Sequence, residues 1–170
     1  MDPKQERRWT NINAFIAQLA QAAEVRYPSP EEDANFNPAG KSRRTVWLEE
    51  KAKFNAMDYS STALQVFSMA LQSVELSVDT LARSAALPAA CVWFIYAAER
   101  LWANVQNKRS YIQYDDNGDP VQERNYPFTR DNWDSWKGCL ETAKDACKDD
   151  VKKRLIEDAL AEIRRVMADS

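Results

Sequence analysis

Residues 91–102 read CVWFIYAAERLW, and this stretch decides the fold. On a helix its apolar side chains cover the whole circumference until Glu99 and Arg100 interrupt them. A helix that is apolar all round has to be covered on most of its sides. Pro88 suits the first turn of such a helix. We therefore predict a central helix over about 88–107.

The flanking sequence predicts further helices. Asp2, Pro3 and Gln5 form a capping box that starts a first helix, which Pro28 ends. Its helical spacing predicts a buried seam of Trp9, Ile12, Ile16, Leu19 and Ala23. A short helix is predicted over 45–57. A single longer helix should run from about Ser60 to Pro88, with a seam of Leu64, Phe67, Leu71, Val74, Val78 and Leu81.

The C-terminal third predicts two more helices. Thr129 is a plausible N-cap for a helix whose seam is Trp133, Trp136, Leu140, Ala143 and Cys147. The same phase continues from Val151 to Val166, and a break near 148–150 lets the chain fold back. The prediction is an all-α bundle of about six helices in a single domain, residues 1–170. Long connections cover 27–44 and 108–128, and the second is either a small hairpin around Asn117-Gly118 or an irregular loop.

The composition excludes several chemistries. The 170 residues include no histidine, which removes the usual general base and the commonest transition-metal ligand. The three cysteines form no CxxC motif, so we expect no metal and no cofactor. A net charge of −3 argues weakly against a nucleic-acid partner. With no apolar signal core and no run of about 18 apolar residues, we expect a cytoplasmic protein without a membrane span.

Glu99 is the main candidate for a functional residue. Helical spacing places it near Tyr96 and Trp102, so a covered face would bury a carboxylate among aromatic rings. One interpretation is a structural ion pair or hydrogen bond with Arg100, Arg83 or a backbone N–H. The other is a polar group on the wall of an apolar cavity, where Glu99, Tyr96 and Arg100 are catalytic. The ligand-binding side chains would then be Trp93, Trp102, Trp133, Trp136 and Phe67.

Two tryptophan motifs carry a resemblance to a known family. The segments WFIYAAERLW (93–102) and FTRDNWDSWK (128–137) contain a W-x-x-Y-A-x-x-x-x-W helix followed by a W-x-x-W helix. This pair resembles the signatures of a family of uncharacterised fungal proteins, a domain of unknown function. The resemblance implies an all-helical fungal protein and carries no activity with it. Proteins of that kind are sometimes encoded beside secondary-metabolite pathways.

Two functions from different classes fit these residues. The first is a cofactor-free cyclase or isomerase of fungal secondary metabolism, which holds an apolar small molecule in an aromatic cavity while Glu99, Tyr96 or Arg100 polarises one group. The second is a non-enzymatic module that binds a partner helix of another protein. The combination of an interior carboxylate with clustered tryptophans favours the first. A homodimer is compatible with either.

Overall fold

A computed structural model describes residues 2–27, 58–72, 77–114 and 120–169. In chain order its elements are α1 (Pro3–Ala22), α2 (Ser60–Leu71), α3 (Val78–Arg83), α4 (Leu87–Gln106), β1 (Ser110–Tyr114), β2 (Pro120–Pro127), α5 (Arg130–Ala146) and α6 (Asp150–Ala168). The predicted helix over 45–57 and the Asn117-Gly118 turn lie outside the described residues. The fold is all-α apart from one two-stranded hairpin, and this confirms the predicted fold class.

Helix α4 is the centre of the molecule, as the stretch 91–102 predicts. Its most extensive contacts are with α1 and α6, and α2 covers a further side. Only Tyr96, Glu99 and Gln106 of this helix are exposed. The helix bends at Ala97, whose backbone angles (φ −137°, ψ 20°) are not helical.

Helix α1 begins as predicted but turns a different face to the core. The Asp2 side chain accepts hydrogen bonds from the backbone N–H groups of Lys4 and Gln5, at 2.8 and 2.9 Å. The buried residues of the helix are Asn13, Ala17 and Ala20, whereas Ile12 of the predicted seam is 56% exposed. Small side chains let α1 approach α4 closely. Asn13 is drawn inward because its Oδ1 accepts a hydrogen bond from Trp93 Nε1 at 2.9 Å.

The predicted single helix from Ser60 to Pro88 is wrong. Helix α2 ends at Leu71, and α3 starts separately because Ser77 Oγ accepts a hydrogen bond from the Thr80 N–H. The seam residues Leu64, Phe67 and Leu71 are buried in α2. Val78, assigned to the same seam, is 46% exposed, because the seam does not run continuously past Leu71.

Helices α5 and α6 begin where their sequence signals predict. Thr129 Oγ1 accepts a hydrogen bond from the Asn132 N–H at 3.1 Å, which caps α5. The predicted break between α5 and α6 is confirmed. Asp149 caps the new helix by accepting from the N–H groups of Val151 and Lys152, at 2.9 and 3.1 Å.

The connection over 108–128 is a hairpin rather than an irregular loop. Its strands are antiparallel, Ser110 pairs with Pro127, and the register shifts between Ile112 and Gln113. The chain enters it through a Schellman turn, in which Lys108 takes a left-handed conformation with φ 51°. Within that turn the N–H groups of Lys108 and Arg109 donate to Val105 O and Asn104 O, at 3.1 and 2.8 Å.

Aromatic rings form the interior between α2, α4 and α5. Phe67 stacks on Phe94 with ring centroids 4.6 Å apart, and Trp136 lies 4.7 Å from Phe67. Trp133 joins the cluster 5.1 Å from Trp102 and 5.5 Å from Phe94. The Nε1 atoms of Trp133 and Trp136 are buried without a hydrogen-bond partner in the described part of the chain. Ring packing therefore dominates this interior.

Replacing Trp133 by Ala tests this packing. The side chain is fully buried and contacts three other rings, so we expect Trp133→Ala to lower the free energy of unfolding by about 3–5 kcal/mol. Urea denaturation measures the change. Tyr96→Ala removes an aromatic ring that is 43% exposed and should cost less than about 1 kcal/mol. Equal losses for the two variants would contradict the observed core.

Candidate functional site

The five predicted ligand-binding side chains separate into two groups. Phe67, Trp102, Trp133 and Trp136 belong to the aromatic cluster, and each is at most 7% exposed. Trp93 is also buried, and its indole N–H binds Asn13 of α1. Centroid separations of 4.6–6.5 Å mean that the clustered rings touch each other. Within the described part of the chain, these side chains pack against each other in the interior.

Glu99 lies on the surface, so the prediction of an interior carboxylate is wrong. Its side chain is 59% exposed. Oε1 accepts a hydrogen bond from Arg165 Nη1 at 3.0 Å, and Oε2 accepts one from Gln21 Nε2 at 3.0 Å. The structural interpretation named Arg100 or Arg83 as the cation, whereas the observed cation is on α6. Glu99 thus bridges α1 and α6 across the uncovered side of α4.

Arg100 holds the C-terminal end of α1. Its guanidinium donates to the backbone carbonyl of Ala20 at 3.2 Å and to that of Ala23. A third hydrogen bond, 3.4 Å long, goes to the hydroxyl of Tyr27. The last turn of α1 contains no basic residue of its own, and a cation at this end stabilises both the free carbonyls and the helix dipole.

Among the described residues, the three predicted catalytic residues have separate surroundings. Tyr96 is 43% exposed, Glu99 is engaged by Gln21 and Arg165, and Arg100 caps α1. Their catalytic role stays a prediction.

Gln21 has a central position that the sequence did not reveal. Its Oε1 accepts a hydrogen bond from the backbone N–H of Arg100 at 3.1 Å, three residues beyond the bend at Ala97. Its Nε2 donates to Glu99, as described above. We attribute the bend to this side chain, because a group that enters the helical hydrogen-bond ladder kinks a helix. Gln21 is far from Glu99 in sequence, so no local pattern links them.

A buried polar cluster at the start of the hairpin was also missed. Tyr111 Oη donates to Asp58 Oδ2 at 2.7 Å, and Arg109 Nη2 lies 3.6 Å from the same oxygen. Burial raises the pKa of the Tyr111 hydroxyl, and the negative charge of Asp58 raises it further. The cluster fastens the hairpin to the chain just before α2. A single Asp in sequence carries no signal of such a partner.

The cysteines and the acidic residues that the structure describes form no metal-binding cluster. Cys91, Cys139 and Cys147 are free thiols, and burial raises the pKa of Cys91 well above its usual range. Cys139 Sγ donates to the carbonyl of Leu71 at 3.2 Å. Within the described ranges, no three Cys, Asp or Glu side chains come together as metal ligands would.

The outer face of α1 exposes two large apolar side chains that are one turn apart. Ile12 and Phe15, one turn apart, are 56% and 61% exposed. Leu19, one further turn along, is half-buried. We call Ile12, Phe15 and Leu19 the α1 ridge. The preceding turns present the exposed cations Lys4, Arg7 and Arg8.

Two open surface pockets lie away from Glu99 and from the aromatic cluster. One, of about 420 Å³, lies between the end of α3 and the α5–α6 connection, and includes Arg83 and Cys147. The other, of about 540 Å³, lies between the N-terminal ends of α1 and α6, beside Val151. An ion pair of 2.7 Å between Lys152 and Glu6 spans the two helices at this second pocket.

A comparison with protein families matches residues 1–140 of the 170. The family is described as protein of unknown function (DUF3632). The chain belongs to this family. Comparisons with curated proteins and with solved structures found no match.

The DUF3632 match spans the α1 ridge, all of α4 and both tryptophan motifs. It ends within α5, so α6 lies beyond it. Two ion pairs, Glu6–Lys152 and Glu99–Arg165, join the matched part to this last helix. None of the helices in the described ranges is both long enough and apolar enough to cross a bilayer.

Substitutions at Glu99 and Arg100 distinguish their observed roles. Arg100→Met should lower the free energy of unfolding by about 1–3 kcal/mol, because carbonyls at the end of α1 lose their donor. Glu99→Gln keeps an acceptor for Gln21 on an exposed side chain, so its effect should be clearly smaller. Urea denaturation of both variants measures the difference. A larger loss for Glu99→Gln would mean that Glu99 is buried after all.

Proposed function

We propose that this DUF3632 protein is a non-enzymatic helical module that binds another protein through the α1 ridge. One observation carries the proposal. Two large apolar side chains, Ile12 and Phe15, are more than half exposed on a helix whose opposite face is buried in the core. Complete burial of such a side chain contributes roughly 1.5–3 kcal/mol, and a partner gains the share that belongs to the part still exposed.

The ridge is also held rigidly. Helix α1 is joined to α4 by the Asn13–Trp93 hydrogen bond and by the hydrogen bonds that Arg100 donates to its last turn. Residues early in α1 contact residues early in α4, and residues late in α1 contact residues late in α4. The two helices therefore run parallel. A preformed binding face loses little conformational entropy when a partner docks. The rigid attachment of α1 supports the proposal that a partner binds it as a fixed helix.

The catalytic alternative has less support. A cyclase or isomerase needs an enclosed space beside a polarising group, whereas the aromatic rings touch each other and Glu99 is exposed. Cyclase chemistry, a small-molecule substrate and a setting in fungal secondary metabolism stay predictions, as does a cytoplasmic location.

Site-directed photocrosslinking tests the proposal. Phe15 is replaced by a photoreactive benzoyl derivative of phenylalanine, which keeps its aromatic character, and the protein is irradiated in its source cells. The same label at Val78, which is 46% exposed on α3, is the matched control. We expect a discrete adduct with one other protein from position 15, and its loss when Ile12→Ser is added. Adducts of equal yield from both positions would contradict a specific binding face on α1.

A further inference from the structure

From the charges beside the α1 ridge, we infer that the partner segment is an acidic amphipathic helix that lies along α1. This inference rests on the proposed function and adds the chemistry of the partner. It places the partner's apolar side chains over Ile12, Phe15 and Leu19. Its carboxylates then lie over the turns that contain Lys4, Arg7 and Arg8.

The first turns of α1 present unbalanced positive charge. Lys4, Arg7 and Arg8 are exposed, and within the described ranges none of them forms an ion pair. The two acidic residues of this segment are already engaged. The Asp2 carboxylate binds the backbone N–H groups of Lys4 and Gln5, and Glu6 is paired with Lys152. A partner with carboxylates is therefore complementary to this end of the helix.

The spacing of the ridge suits a second helix. Arg8, Ile12, Phe15 and Leu19 are separated by four, three and four residues. This alternation forms the seam along which two helices pack, and helices docked on such faces present anchors at i, i+3 or i+4, and i+7. Because Arg8 belongs to the same seam, its positive charge and the apolar anchors lie on one continuous line along α1.

A lipid surface is the competing partner for a basic helix with apolar side chains. A helix that lies in a membrane interface buries a broad apolar face. Here the ridge is bordered by the exposed polar residues Asn11 and Gln18 on one side and by the half-buried Ile16 on the other, so Ile12 and Phe15 are the large apolar side chains that α1 exposes. The opposite side of α1 is fixed in the core through Asn13, Ala17 and Ala20. Two exposed apolar side chains on a fixed helix are too few for a broad membrane-inserted face, and this favours a helical partner.

Peptide binding to the full chain tests this inference. The probe is a synthetic helical peptide with leucines at heptad positions a and d and glutamates at one end. A second peptide has glutamine in place of every glutamate. Binding of each labelled peptide is measured by fluorescence anisotropy at low and at physiological salt. Vesicles of phosphatidylserine and phosphatidylcholine, measured by co-sedimentation, are the lipid arm.

We expect the glutamate peptide to bind about fivefold or more tightly than the glutamine peptide, with the difference shrinking as salt rises. Arg8→Glu should weaken its binding by about fivefold or more, because attraction becomes repulsion. Phe15→Ser should weaken it about tenfold, since an apolar anchor is lost. The controls Arg154→Glu and Val78→Ser change an exposed cation on α6 and an exposed apolar residue on α3, and should have no effect.

Other outcomes separate this inference from the proposed function. Equal binding of the two peptides, with a loss in Phe15→Ser, would overturn the acidic partner and leave the ridge as a binding face. Binding to vesicles that Phe15→Ser abolishes, without peptide binding, would identify a lipid surface and overturn the inference. Binding of the glutamate peptide that Phe15→Ser leaves unchanged would overturn both the inference and the role of the ridge.

Discussion

Helix α4 has apolar side chains on most of its circumference, and the need to cover them organises the rest of the structure. Burial of apolar surface is the largest favourable term in folding, and no single neighbour can cover a helix of this kind. Helices α1, α2 and α6 pack around it, and the rings of α5 complete the interior. Only a narrow strip with Tyr96 and Glu99 remains outside.

The packing of this interior is the reason that we propose the binding face on α1. The rings of Phe67, Phe94, Trp133 and Trp136 pack against each other. Two members of the predicted catalytic set, Glu99 and Arg100, are engaged in joining helices. Arg100 and Gln21 secure the end of α1 against α4, and Glu99 connects both to α6. The same joints that close the core fix α1 with Ile12 and Phe15 facing outward.

Much of the fold could be predicted from the sequence, because its signals are local. The apolar run fixes α4, and the side chains of Asp2, Thr129 and Asp149 mark helix starts where the structure has them. The buried face of α1 could not be predicted by hydrophobicity alone. Asn13 lies inside because of its bond to Trp93, and this rotates Ile12 toward the solvent. The end of α2 at Leu71 could not be predicted, because the apolar residues of the sequence keep their helical spacing beyond it.

The candidate site was harder to predict, because its contacts join elements that are distant in sequence. The spacing on α4 correctly places Glu99 beside Tyr96, but it does not say whether another helix covers that side. Arg165 and Gln21 reach Glu99 from helices distant in sequence. The Asp58–Tyr111 hydrogen bond likewise depends on how the hairpin folds back.

Hydroxyl-radical footprinting read by mass spectrometry tests whether the aromatic interior is closed, because it reports the accessibility of each aromatic side chain in solution. We expect rapid oxidation of Phe15 and Tyr96 in the native protein and protection of Trp133 and Trp136 until urea unfolds the chain. Native oxidation of Trp133 and Trp136 as fast as that of Tyr96 would contradict a closed aromatic interior and restore the case for a cavity.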